Sequence, residues 1–445
     1  MPCLQPTPAD GKGEDVGAAL YAFAAELYPL PRCLTGEGLR ETLRRIGARI
    51  PLAVNEVPTG TPVLDWTIPK EWRLRAAWIA TLDGRRLADA ADSPLHVVQY
   101  SRPVRARMTL ADLRPHLHTL PDHPDWTPYR TSYYADAWGF CLPHRTLEAL
   151  EAAGDGLPLD VCINAEHVDG ALSYGECVLP GETDDEVLIS AHACHPALAN
   201  DNASALAVAT FLAERLAARP RRRLTWRFLF APGTLGAVAW LAQNPDAARR
   251  IRHGLVLANL GDAGGFTYKQ TRRGTLAAQP LTIDRAVALA LREEGVEVRP
   301  FDPFGYDERQ FGSPGFDLPV GRLTRTPHGE YPEYHTSADD LSLISPEALA
   351  GSLDALLRIA DVLEGDGRYR STEPFGEPML GRRGLYRNAG GAVDTPETQR
   401  ALLWVLNLAD GQHTLLDVAE RSGLPFEAIR TAADRLFEHG LLEDA

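Results

Sequence analysis

The spacing of apolar positions changes twice along this chain, and the changes mark out its organisation. Over residues 16–49 they recur every three or four residues (Leu20, Phe23, Ala24 and Leu27, then Leu39, Leu43 and Ile46), which predicts helices with one buried face. From about 51 to 142 the pattern breaks into short runs between prolines and glycines, such as 63–69 and 95–100, which predict strands of a small β-rich module. Trp66 and Trp72 read as its core, and 145–153 as a short helix. Beyond 157, apolar runs at 157–163, 174–179, 186–191, 224–231 and 254–260 alternate with helical patterns at 202–218, 237–243, 283–294 and 346–363. That alternation predicts an α/β domain on a largely parallel sheet. A Gly-, Arg- and Pro-rich linker begins near 366, and helices follow at 399–408, 415–422 and 425–439. The pattern Leu415-x-x-Val418-Ala419-x-x-Ser422-Gly423-Leu424 before the last helix resembles a winged-helix module.

Composition narrows this picture. The 445 residues are 44% apolar and 24% charged, an ordinary globular balance with room for two to four domains. A net charge of −15 argues against nucleic acid as the main partner, because phosphate binding needs clustered Lys and Arg. Residues 394–445 sharpen the point: ten acidic side chains face four arginines, so the winged helix reads as a packing or oligomerisation module. No apolar run reaches the ~20 residues of a membrane span, and the start, Met1-Pro2-Cys3, lacks a signal-peptide layout, so a cytoplasmic protein is expected. Cysteines at 3, 33, 141, 162, 177 and 194 follow no framework spacing and read as reduced, mostly buried thiols. The run Arg221-Arg222-Arg223 reads as a solvated edge.

One segment concentrates groups able to hold a metal. Ala191-His192-Ala193-Cys194-His195-Pro196 leads into Ala199-Asn200-Asp201-Asn202-Ala203-Ser204, after a buried strand and at the opening of a helix. Open α/β sheets bind ligands at that place. Imidazole and carboxylate groups there suit Zn²⁺, which needs three protein ligands and one open position for catalysis. Two histidines in a loop mean little alone; a second polar segment, Tyr331-Pro332-Glu333-Tyr334-His335-Thr336-Ser337-Ala338-Asp339-Asp340-Leu341, strengthens the case.

Together with Tyr306-Asp307-Glu308-Arg309-Gln310-Phe311, Asp65-Trp66-Thr67 and Pro128-Tyr129-Arg130-Thr131-Ser132-Tyr133-Tyr134, these motifs resemble the zinc aminopeptidase superfamily. The likeness is to a bacterial aminopeptidase-like branch, and it runs from about 20 to 445. It implies a three-layer αβα zinc-exopeptidase-like domain over 16–56 and 143–368. It also implies an inserted β-rich domain over 57–142 and a linker with a winged helix over 369–445. His192, Asp201 and His335 become the metal ligands, with Asp262 a further carboxylate ligand and His195 a ligand or its support. One Zn²⁺ is expected rather than two. The implied function is hydrolysis of a peptide N-terminus or small aminoacyl amide, in a biosynthetic pathway, by a soluble protein that associates with itself through its inserted or winged-helix domain.

Two departures qualify the activity. The superfamily's adjacent glutamates, a base and a metal ligand, fall on the turn Ala231-Pro232-Gly233-Thr234, so Gly233 stands at the base position and Thr234 at the ligand position. Cys194 stands where an aspartate is usual. Glu308, Asp307 and Glu333 are substitute bases; alternatively the chain is a catalytically impaired relative that binds or scaffolds, or one with a different reaction on an amino-acid-like substrate. Arg309, Tyr306, Arg130 and Tyr133 are expected to bind substrate, Arg through its planar fork. Tyr133, Tyr134 and Trp138 serve equally as a pocket wall or as core of the β module.

Overall fold

Eight strands form the central sheet of the computed structural model, which describes residues 15–445 apart from 134, 386, 387, 390, 391, 394 and 395. They are β1 (Ala53–Pro58), β2 (Ala171–Leu179), β3 (Glu186–His192), β4 (Thr225–Ala231), β5 (Ile251–Leu257), β6 (Thr267–Lys269), β7 (Glu297–Arg299) and β8 (Val320–Thr324). Their order is β1-β2-β4-β3-β5-β8-β6-β7. The middle four, β4-β3-β5-β8, run parallel, and β1, β2 and β6 join antiparallel. This is the mixed α/β architecture that the alternation predicts. Every residue of β3 is buried, as a continuous apolar run at the centre of a parallel sheet requires. Its one carboxylate, Glu186, is neutralised by Arg227 (2.5 Å) and Arg250 (2.7 Å) at the strand's entry. The opposite end of β3 delivers His192.

The helix after β3 begins later than its apolar pattern suggests. Regular α-helix spans Ala205–Ala217, while Ala199–Ser204 is kinked, with non-helical backbone at Asp201 and Asn202 and a cis peptide between them. This irregular turn is wholly buried and carries polar side chains into the site.

A second, antiparallel sheet has the order Arg86–Asp89, Glu71–Thr81, Pro158–Val168, Val104–Thr109. The strand at 158–168 thus completes this second sheet instead of joining the central one. Residues 95–100 are not a strand. Ser93 accepts a hydrogen bond from Leu95 N and starts a 3₁₀ turn, Pro94–His96, after which Val97 and Gln99 make only isolated bridges. Trp72 is buried, but Trp66 sits on a two-residue edge hairpin and is 38% exposed. Arg221 pairs with Glu182, and Arg222 donates to the carbonyls of Leu216, Ala217 and Arg219 at the end of the preceding helix. Arg222 therefore closes a helix terminus, while Arg221 stays on the solvated edge.

Residues 15–281 with 297–354 form one compact unit, and 282–296 with 355–445 a second. In the second, helices Pro396–Leu408, Leu415–Ser422 and Phe426–Glu438 accompany a three-stranded sheet of Arg368–Ser371, Asp410–Thr414 and Leu442–Asp444. Thr414 and Asp417 form a capping box at the middle helix, and Gly423 ends it in the left-handed region. Arg430 is spent internally, on Asp434, Gly365 O and Tyr369 Oη. Arg285 engages Asp417 and Glu420. No helix among the described residues is long and apolar enough to cross a membrane.

Candidate metal centre

Four segments bring four ligand-type residues together. The end of β3 supplies His192, the loop after it His195, the kinked turn Asp201, and the loop before the helix Pro346–Gly365 supplies His335. Asp201 lies in the middle: its Oδ1 is 2.9 Å from His192 Nε2 and 3.9 Å from His195 Nδ1, and its Oδ2 is 3.0 Å from His335 Nε2. His192 Nε2, His195 Nδ1, both Asp201 oxygens and His335 Nε2 are buried, and none has an aligned hydrogen bond. Burying five such atoms unpaired is costly unless something cationic takes their lone pairs. The donor set, imidazole nitrogen and carboxylate oxygen, suits Zn²⁺. Burial pushes the Asp201 carboxyl upward, but the surrounding histidines hold it well below the usual carboxylate range; burial holds His195 well below the usual imidazole range. Both directions leave the groups deprotonated, as ligation needs.

The surroundings fix these groups. Asp339 accepts from Asn200 N (2.6 Å) and Asp201 N (3.0 Å), clamping the turn. The Asn202 amide donates to His192 O and Leu257 O and lies 3.2 Å from His192 Nδ1. Arg32, fully buried, donates from Nε to His195 O (2.7 Å). His335 adopts left-handed backbone (φ 58°), held by Tyr129 N donating to its carbonyl (2.8 Å) and by bonds joining Thr127 and Ser337. Tyr129 stands edge-on to His195 and His335 at 5.2 and 5.1 Å. Tyr334 stacks on His335 at 4.0 Å, and Tyr306 on His192 at 5.1 Å. Sequence reasoning did not single out Asp339, Tyr129 or Arg32. Asp339 lies in the polar segment 331–341 and Tyr129 in a quoted motif; Arg32 carries no local signal.

The remaining candidates sort by location. Asp262 is not drawn into the cluster: its oxygens accept from Asn200 Nδ2, Gly264 N, and Thr326 N and Oγ1, at 2.6–3.3 Å. Glu308, also buried, pairs with Lys269 and stands 3.8 Å from Arg322. Asp307 instead faces the turn that carries Gly233, accepting from Thr234 N at 2.6 Å. Burial raises its carboxyl to about 6, against the pull of Thr234 N–H and His192. A Cβ at Gly233 would lie 3.6 Å from Cys194 Sγ and 3.7 Å from His192 Cβ, ordinary contact, so this turn borders the cluster directly. Cys194 accepts from Gly233 N at 3.2 Å, and burial pushes its thiol up to about 12, so it is protonated and inert. Arg309 reaches Thr234 Oγ1 at 3.5 Å, while its Nε is buried without a partner. Tyr133 donates to Gln99 Oε1 and touches Tyr129 Oη, supporting that ring from behind. Arg130 is exposed beside His118, and Trp138 stacks on His116 within the β module; Tyr134 lies outside the described residues.

The comparisons agree with this layout. Residues 21–366 match the family described as a domain of unknown function, DUF4910, and residues 367–444 match a winged helix-turn-helix. A Clostridium acetobutylicum protein, provisionally named for polysaccharide biosynthesis and an aminopeptidase-like domain, is 42% identical over 96% of this chain and 97% of its own length. A crystal structure from the same organism, provisionally named a peptidase, superposes with a TM-score of 0.89 at 40% identity, covering 96% of both chains. The Bacillus subtilis zinc aminopeptidase shares the fold at a TM-score of 0.56 and 15% identity, covering 78% of this chain and 95% of that one. A match over three quarters of the length, with the second domain accounted for, places the chain: it belongs to the DUF4910 family, on an aminopeptidase-like fold joined to a C-terminal winged helix.

Proposed function

We propose that this protein is a zinc-dependent, aminopeptidase-like amide hydrolase acting on a peptide N-terminus or a small aminoacyl amide. The observation that carries the reading is the meeting of five buried, unpaired ligand atoms around Asp201. His192, Asp201 and His335 would hold one ion, with His195 as a fourth donor; Thr234 offers no carboxylate for a second. Bound Zn²⁺ supplies polarisation of the amide carbonyl and activation of water. Asp307 is the base in this scheme in preference to Glu308. It sits against the turn where Gly233 lacks a side chain, and a carboxyl near pKa 6 suits proton transfer at neutral pH. Its task is to take the proton from water and return it to the leaving nitrogen. Arg309 and Tyr306 border the reacting region, whereas Tyr133 acts through Tyr129.

The name of the Clostridium relative supports a role in a biosynthetic pathway. Buried, unbridged cysteines at 33, 141, 162, 177 and 194 support a reducing, cytoplasmic setting. The acid-rich winged helix reads as a packing or self-association module. A second reading, a binding protein without turnover, draws on Gly233 alone.

Metal analysis together with turnover of aminoacyl amides tests the proposal. About one zinc per chain, activity abolished by chelator, and loss of both in His335→Ala are expected. A chain that takes up no zinc and is indifferent to His335→Ala overturns it. Zinc uptake without turnover of any amide would favour the binding reading.

A further inference from the structure

A cavity of about 450 Å³ opens among Lys70, Tyr100, Arg102, Tyr133, Asp136 and His167, none of which belongs to the cluster around Asp201. Small-ligand sites run from roughly 300 to 1,000 Å³ and combine aromatic walls with a few polar groups. The walls here are fixed. Tyr100 is buried and holds left-handed backbone (φ 69°), which a bulky residue keeps only where its surroundings impose it. Its hydroxyl donates to Lys70 O, its ring lies 6.3 Å from Trp72, and Tyr133 and His167 meet it edge-on at 5.5 and 5.1 Å. Ser132 N donates to Gln99 O (2.8 Å) and Arg102 N to Ala137 O (3.0 Å), joining the two segments that supply most of the wall. Lys70 stands 3.9 Å from Asp169 and Arg102 3.8 Å from Asp136, too far for hydrogen bonds. All four side chains are at least half exposed, and such pairs are weak, so both cations keep N–H groups for a ligand. Asp136 is the one carboxylate on the wall, and at 89% exposed it is able to turn to solvent.

We propose that this cavity is a second ligand site, which takes a flat ring carrying an oxyanion, either phosphate or carboxylate. The ring lies against Tyr100 and Tyr133, as aromatic faces and edges favour. The oxyanion meets Lys70 and Arg102, the guanidinium through its planar fork. A cationic ring would instead face two like charges. Tyr133 lies between this cavity and the metal cluster: its hydroxyl donates to Gln99 Oε1 (2.7 Å) and meets Tyr129 Oη (3.2 Å), and Tyr129 stands edge-on to His195 and His335. A molecule held here thus stands behind the support of the imidazoles and not on the metal. The site goes beyond the hydrolase reading and does not rest on it.

Calorimetric titration of the full chain tests the site. Phenyl phosphate and benzoate carry the two oxyanions on the same ring, inorganic phosphate lacks the ring, and benzyltrimethylammonium reverses the charge. The tighter of the two ring anions should exceed both controls at least tenfold, and which one it is tells phosphate from carboxylate. Arg102→Gln and Lys70→Gln should each weaken it by about tenfold. Both substitutions change exposed side chains, and an unchanged melting temperature shows that the fold is kept. The affinity should be the same with zinc added and after treatment with a chelator. Binding that needs zinc, or that ignores both substitutions, puts the probe elsewhere and overturns the proposal. So does tighter binding of either control, or no measurable binding of either ring anion. The hydrolase reading is decided separately, by zinc uptake and turnover.

Discussion

Asp201 and Asp262 are two buried carboxylates at loops that leave neighbouring strands of one sheet, and they live in opposite circumstances. Asp262 accepts four hydrogen bonds, which tie Asn200 and the segments at 264 and 326 together. Asp201 accepts no aligned hydrogen bond and has three imidazoles converging on it. The difference teaches that a carboxylate at a strand end is either a ligand or a fastener, and that its partners decide which. Besides Gly264, the partners of Asp262 are Asn200 and Thr326, 62 and 64 positions away in sequence, beyond the reach of motif spacing.

The sharpest way to break this comparison is to remove each carboxylate in turn. Asp201→Asn should reduce zinc affinity by more than the roughly 10- to 100-fold that losing a supporting partner costs, read by equilibrium dialysis against a chelator. Next in size, Asp307→Asn should lower kcat by about 10²–10⁴-fold while zinc content holds. Retained kcat there would return the base role to Glu308 or to another group. The same residue sets a pH limb. With its carboxyl raised to about 6, Asp307 is protonated below that pH, so kcat/KM should fall about tenfold per unit as pH drops further. The limb should vanish in Asp307→Asn. Asp262→Ala should cost about 3 kcal/mol of stability by stranding buried donors, read by chemical denaturation, with zinc affinity little changed. The smallest effect is expected at Gly233→Ala. A Cβ there meets only ordinary contacts, so stability should shift by less than about 1 kcal/mol.

Much of the architecture was legible because buried parallel strands write themselves as continuous apolar runs: 186–191 and 224–231 match β3 and β4 within a residue. Residues 95–100 misled because a capped turn followed by two isolated bridges buries a continuous run, Val97 to Tyr100, much as a buried strand does. The start of the helix after β3 was legible only in part. The start expected at Asn202 falls inside the kinked turn, where the polar side chains of Asp201 and Asn202 are buried for a reason that lies elsewhere in the chain. At the site, His192, His195, Asp201 and His335 could be named from motifs. The division of labour between adjacent Asp307 and Glu308 could not, since it is set by Thr234 on one side and Lys269 on the other. Arg32 was invisible for the same reason: its one contact with the site is to the carbonyl of His195, 163 residues away.

The short ladder between residues 127–129 and 335–337 has a consequence for the history of such chains. In linear order the segment that carries 127–129 looks exchangeable on its own, 210 positions before the loop it supports. Yet Tyr129 holds the carbonyl of His335, Thr127 holds Ser337 two residues on, and Tyr129 stands against two of the imidazoles. A swap of that segment alone would take the support of one ligand with it, so the two segments must be inherited together.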